Sequence, residues 1–368
     1  MYRDDFLEKK LNERRQNDSF RSLKLPEDKI DFCSNDYLGI VQNSLLKAAG
    51  HTLFSGATGS RLLSGNYLLI ESAESKLAVF HQSEAALIFN SGYDANLGLL
   101  SSVPQNGDTI LYDQLSHASI RDGIRLSFAN SFSFAHNDLA DLEKKLQQAS
   151  GTVFIVTESV FSMDGDFCPL EALCLLAAKY HAHIIIDEAH ATGVIGEKGE
   201  GLVQQLALQH KLFARVHTFG KACGCHGAVV LGSKTLRDYL INFARSFVFS
   251  TALPAQAVAM IMASYDLFPQ MTEEREHLQK LIQQFGDAKL AFEKKMSDTP
   301  IQVVMIPGNS AVKKVAKQLQ ENGLDIRPIL YPTVPKGKER LRIVLHAFNT
   351  EADLAGLINA LSSSGNPS

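Results

Sequence analysis

The chain has 368 residues, 45% of them hydrophobic and 21% charged, with a formal net charge of −4. That length allows a large core and two or three domains, and the slight acidic balance excludes a strongly basic nucleic-acid or membrane-surface protein. Five cysteines (Cys33, Cys168, Cys174, Cys223 and Cys225), an odd number with no Cys-x-x-Cys pair, argue against a disulfide framework or a zinc cage.

The N-terminal MYRDDFLEKKLNERR is charged and lacks the apolar run of a signal peptide, and no apolar stretch is long enough to span a bilayer. A cytoplasmic protein is expected. Residues 1 to about 22 read as an amphipathic helix, followed by a short strand, KIDFCS. From about residue 70 helices and strands alternate. ESAESKLAVFH is helical and AALIFN, TILYD and TVFIVTES are strands; the helix LEALCLLAAKYH then leads into the strand HIIIDEA. ARVHTFG and GAVVLGS are further strand candidates. Such alternation predicts a mainly parallel sheet covered on both faces. Beyond about residue 255 the rhythm changes. Residues 255–296 predict two helices, and PIQVVMIPG, KKVAKQLQENG, DIRPILYP and LRIVLHAF predict a small α+β unit of strands around one helix.

Polar residues gather at the C-terminal ends of the predicted strands, the edge where open parallel sheets bind ligands. Asp187 ends a buried strand in IIIDEAHATG, with His190 three residues on. A carboxylate placed there can hydrogen-bond a protonated ring nitrogen and keep it charged; alternatively it caps the next helix. A helicase DEAH box would need a G-x-x-x-x-G-K-[ST] phosphate loop, which the chain lacks. In HTFGKACGCHGAVVLG, Lys221 follows a strand among Gly220, Ala222, Gly224 and Gly227, with Thr218 three residues earlier. Small neighbours let a lysine approach a flat ring and lose its proton readily; the competing reading is a solvated loop lysine. In FNSGYDANLG, Ser91-Gly92-Tyr93 lies between a strand and a helix whose N-terminus offers N–H groups to a phosphate. The order of phosphate turn, Asp187-x-x-His190 and then Lys221, 34 residues after Asp187, is more specific than any of its parts.

These segments, with NDYLG at 35–39, GSRLLSGN at 59–66, LSHAS at 115–119, TESVFSMDGD at 157–166 and YPTVPKGKERLRI at 331–343, resemble the α-oxoamine synthases, fold-type-I pyridoxal-phosphate enzymes. GSRLLSGN, FAHND at 134–138 and PTVP followed by RLRI are most like the members that join L-alanine to a pimeloyl thioester, of coenzyme A or an acyl carrier protein, in biotin synthesis. The resemblance implies an α/β fold with a mainly parallel seven-stranded sheet. It divides the chain into an N-terminal arm (1–37), a large cofactor-binding domain (38–275) and a small α+β domain (276–368), and it implies a homodimer with shared sites.

It also implies roles. Lys221 would hold pyridoxal 5'-phosphate as a Schiff base and move the substrate Cα proton. Asp187 would pair with the ring nitrogen, His190 would bond the phenolic oxygen with Ser162 nearby, and His117 would stack on the ring. Gly92, Tyr93 and Thr218 would bind the phosphate, with Ser250 and Thr251 reaching the phosphate of a neighbouring subunit. Arg342 would bind the amino-acid carboxylate, and Arg21, Asn35 and Thr333 would contact substrates. The competing readings are buried, backbone-satisfied histidines for His117 and His190, turn residues for Ser162 and Thr333, and surface arginines for Arg21 and Arg342. Glu158 receives no role. Cys223, Cys225 and His226 read as packing residues in preference to a metal site. Another α-oxoamine synthase using glycine or serine, or a non-catalytic subunit of this fold, stays open as an alternative.

Overall fold

A computed structural model describes residues 5–23, 27–50 and 53–363. The chain divides into two compact units, one of Asp36–Ser162 and Phe167–Arg275, the other of Met1–Asn35, Met163–Asp166 and Glu276–Ser368.

The larger unit is built on a seven-stranded sheet in the spatial order Ala85–Phe89, Ala228–Gly232, Ala214–Thr218, His183–Asp187, Val153–Glu158, Thr109–Asp113 and Asn130–Phe134. Ala228–Gly232 runs antiparallel to both neighbours, and every other pairing is parallel. The apolar runs IIID and FIVTE are buried along their length, as expected where helices cover both faces of a parallel sheet. Leu87, Val156, Ile185 and Val216 of the strands pack with Leu99, Leu100, Ile120 and Ile124 of two helices in one core. Each such side chain contributes about 1.5–3 kcal/mol by leaving water. Those helices, Gly92–Ser102 and Ala118–Leu126, approach closely because Gly123 has no side chain: a Cβ there would lie 2.8 Å from the Asn96 carbonyl oxygen.

The smaller unit holds a four-stranded antiparallel sheet, Arg327–Ile329, Arg340–Val344, Ile301–Met305 and Lys294–Lys295, with the helices Asn309–Glu321 and Glu351–Ser363. Asp164 pairs with Arg340 and Lys295, and the Gly165 carbonyl accepts from Ser297 Oγ at 2.8 Å and Thr299 Oγ1 at 2.9 Å.

The expected α/β architecture with a mainly parallel seven-stranded sheet is present, with four local differences. The second of the two helices expected over 255–296 ends at Asp287, and Lys294–Lys295 instead pairs as an edge strand of the smaller sheet. Among the described residues the N-terminal helix covers Asp5–Gln16 and stops short of residue 22, because Asp18 takes a left-handed conformation (φ 52°) that ends it, so Arg21 lies on no helix. DIRPILYP is not one strand. Leu324–Asp325 pairs in parallel with Ile30–Asp31, whereas Arg327–Ile329 turns to pair antiparallel with Arg340–Val344. The strand Asn130–Phe134 was not expected. It is the sheet's edge and is exposed up to Phe134, so its sequence NSFSF carries no signature of a buried strand. Among the described residues, no helix is long and apolar enough to cross a membrane.

Candidate active site

In the larger unit the parallel strands deliver Asp113, Glu158, Asp187 and Thr218 to one sheet edge, and the connection 219–227 starts there. Lys221 sits half-buried in this connection. The turn is closed by main-chain bonds: Phe219 N–H to the Gly227 carbonyl (2.9 Å), Cys225 N–H to the Phe219 carbonyl (2.8 Å) and Gly224 N–H to the Lys221 carbonyl (2.8 Å). Gly224 is left-handed (φ 62°), and a Cβ there would collide with Ile40 Cγ2 at 2.6 Å. The lysine's main chain is therefore held independently of its side chain.

Beside it, Thr218 Oγ1 is buried without a hydrogen-bond partner. It lies against the N-terminus of the helix Gly92–Ser102, where Ser91 Oγ caps the Asp94 N–H at 3.0 Å and the first-turn N–H groups have no acceptor within the helix. A Cβ on Gly92 would lie 2.4 Å from Thr218 Cγ2. An orphaned buried hydroxyl beside a helix N-terminus, with no side chain between them, suits a phosphate group. The Tyr93 side chain is turned elsewhere: its hydroxyl donates to the Asp122 carboxylate, and the ring is partly exposed.

Asp187 is buried and firmly held. Its Oδ1 accepts the Ala189 N–H at 2.8 Å, and its Oδ2 accepts from Asn96 Nδ2 at 2.7 Å. It caps no helix, since the chain continues in turns as far as Gly201. Asn96 Nδ2 also reaches Ser119 Oγ (3.1 Å), which contacts His117 Nδ1 at 2.8 Å. The loop that carries His117 is pinned by two carboxyl groups. Asp113 Oδ1 accepts the Leu115 N–H at 2.8 Å, and Glu158 Oε1 accepts the His117 N–H at 2.6 Å. His190 Nδ1 lies 2.6 Å from the hydroxyl of the fully buried Tyr37.

Burial lowers the His117 pKa below the ordinary histidine value, against the pull of Asp187. Burial, helped by the neighbouring Asp187 charge, pushes Glu158 up to about 8, and burial pushes Glu188 up to about 7. A carboxyl raised on folding stabilises the fold fully below its unfolded pKa, and that contribution is lost as pH rises through the folded value. Glu158→Gln should therefore be more stable than the parent at pH 8 and no better at pH 4.5. Urea midpoints at those two pH values test this, and equal differences at both would contradict it. Burial also raises the Cys223 thiol and pushes Cys225 up to about 12, so both are protonated packing groups. Among the described residues, no group of three or more His, Cys, Asp and Glu is placed to hold a metal.

The remaining candidates fall elsewhere. Ser162 is half-buried, four residues beyond Glu158. Thr251 belongs to the strip that meets the 59–66 loop, pairing with Ser60, and its carbonyl accepts from Asn90 Nδ2 at 2.9 Å; Ser250 precedes it. The smaller unit brings its four candidates together in pairs: Arg21 donates to Thr333 Oγ1 at 2.9 Å, and Arg342 to Asn35 Oδ1 at 2.9 Å. Sequence reasoning missed Asn96, Ser119, Tyr37 and Glu158. All four lie inside the quoted segments, and Asn96 carried a signal, being a lone polar residue between Ala95 and Leu99 on a buried helix face.

The model of the aminotransferase class I and II family matches residues 27–361. A relative from Lysinibacillus sphaericus named 8-amino-7-oxononanoate synthase is 42% identical, over 91% of this chain and 88% of its own length. One of the same name from Emericella nidulans is 40% identical, over 92% and 90%. Among solved structures, serine palmitoyltransferase from S. paucimobilis with bound PLP–myriocin aldimine superposes with a TM-score of 0.88 at 25% identity, over 98% of this chain and 97% of that one.

Proposed function

Because the chain belongs to the aminotransferase class I and II family, we propose that it is a pyridoxal-phosphate-dependent acyltransferase, an 8-amino-7-oxononanoate synthase of biotin synthesis. It joins L-alanine to a pimeloyl thioester and releases CO2 and the free thiol. The observation that carries this reading is identity of 40–42% over about nine-tenths of both chains with relatives of that name. Bound pyridoxal phosphate supplies an electron sink for carbanion chemistry at an amino-acid Cα.

The chain's own residues do the rest. Lys221 would hold the cofactor, and its amine is the group placed to take the amino-acid Cα proton. Asp187, fixed by Asn96 and the Ala189 N–H, offers a carboxylate to the ring nitrogen and keeps it protonated. Thr218 Oγ1 and the Gly92 and Tyr93 N–H groups take the phosphate. His117 covers the ring, and His190 bonds the phenolic oxygen. Prior fixation of these groups reduces reorganisation in the transition state. Arg342, a planar two-pronged donor, takes the amino-acid carboxylate, with Arg21, Asn35 and Thr333 toward the substrates.

The active form is a homodimer. Leu63, Leu68, Phe54 and Phe249 are exposed apolar side chains near the strip where Ser60 pairs with Thr251, and covering them with a second copy removes them from water. Ser250 and Thr251 then serve the partner's phosphate. The five cysteines are all free, in keeping with a reducing cytoplasm. Purified protein given L-alanine and pimeloyl-coenzyme A should form 8-amino-7-oxononanoate by mass spectrometry and sediment at twice the chain mass. Product from glycine or L-serine in place of alanine would overturn the substrate assignment, and a monomer at full activity would overturn the dimer.

A further inference from the structure

The hydrogen bonds that run from Asp187 to His117 have determined directions. The Asp187 carboxylate can only accept, so Asn96 Nδ2, at 2.7 Å, gives it one amide hydrogen. The second hydrogen of that nitrogen goes to Ser119 Oγ at 3.1 Å. Ser119 Oγ thus accepts from Asn96, keeps its own hydrogen to donate, and lies 2.8 Å from His117 Nδ1. The Ser119 main-chain N–H, which can only donate, faces the same Nδ1 at 3.2 Å. Nδ1 is therefore an acceptor from two sides and carries no proton, which places the proton of the neutral ring on Nε2. Asn96 and Ser119 are 2% and 1% exposed, so water does not compete for these bonds.

We propose that Asn96 and Ser119 are positioning residues that lock His117 in the Nε2–H form and tie its ring to Asp187, so that His117 covers the cofactor as a neutral ring with a donor at Nε2 and not as a base. The charged and titratable groups that act on this ring are Asp187, Lys221, Arg121 and Asp122, with Glu158 on its own main-chain N–H. The catalytic meaning of the lock rests on the reading of this edge as a cofactor site. The lock itself belongs to the protein with or without cofactor.

The test is 15N NMR of the full chain labelled in histidine, cofactor-free and loaded, with the His117 signals identified by their loss in His117→Asn. The expected result is an unprotonated Nδ1 and a protonated Nε2 near neutral pH in both states. In Ser119→Ala the neutral ring loses a donor to Nδ1. The His117 titration midpoint should then rise by about half to one pH unit, the equivalent of one hydrogen bond, and return in Ser119→Thr. A merely structural serine would lower the melting temperature and leave that midpoint where it was. A proton on Nδ1 in the parent protein, or an unmoved midpoint in folded Ser119→Ala, overturns the proposal. Should Ser119→Ala not fold, the tautomer of the parent protein decides alone. Failure to bind pyridoxal phosphate would instead overturn the cofactor reading, and the cofactor-free spectrum would still decide the lock.

Discussion

Lys221→Ala should reduce turnover at least ~10³-fold, because one substitution removes both the covalent hold on the cofactor and the amine that moves the Cα proton. The loss should not come from unfolding. The turn around Lys221 is closed by the Phe219–Gly227, Cys225–Phe219 and Gly224–Lys221 main-chain bonds, none of which uses the lysine side chain. A half-buried lysine also gives up little packing when truncated. The variant should melt within a few degrees of the parent and still take up pyridoxal phosphate through Thr218, the Gly92 turn and Asp187. It should lack the visible absorbance of a cofactor joined to lysine. Circular dichroism, an absorbance spectrum and a product assay on the same sample check all three, and retained turnover would end the assignment of Lys221.

Asp187→Asn should cost roughly 10²-fold or more in turnover, the size expected when a preorganised charge is removed from a reacting centre. The change is nearly isosteric and the asparagine oxygen can still accept the Ala189 N–H, but its amide nitrogen then faces the Asn96 amide nitrogen, donor against donor, so stability should fall by about 1–3 kcal/mol without loss of the fold. What is lost is the negative charge that keeps a ring nitrogen protonated. The substitution should also lower the pH at which Glu158 ionises, since the Asp187 charge is the second cause of its upward shift after burial. Turnover and the pH dependence of stability measured together separate this from plain damage. A folded Asp187→Asn with parental turnover would show that the carboxylate is not the ring's partner.

Legibility in the sequence depended on the physics of each element. The buried strands His183–Asp187 and Val153–Glu158 announce themselves as β-branched runs ending in carboxylates, and the sheet edge they define follows from that pattern. Lys221 and Thr218 drew notice because small residues crowd the lysine in sequence, and the fold places both at that sheet edge. The edge strand Asn130–Phe134 was not, because an exposed edge leaves no hydrophobic pattern. Nor was the end of the first helix, which depends on the left-handed Asp18 and not on periodicity. The supporting residues Asn96, Ser119 and Glu158 act across elements far apart in the chain: Asn96 meets Asp187 91 positions away, and Glu158 meets the His117 N–H 41 positions away. Short-range pattern carries no record of such pairings. The likeness of the surrounding segments to a known family pointed to the region, and only the fold showed which atoms meet.

The most direct measurement is an absorbance titration of the cofactor-loaded protein with L-alanine, glycine and L-serine in turn. A cofactor held by Lys221 in an alanine-selective site predicts a visible band in the parent, absent from Lys221→Ala, that shifts saturably with L-alanine alone. A saturable response to glycine or L-serine instead would contradict the substrate, and no visible band after addition of pyridoxal phosphate would contradict the role of Lys221 itself.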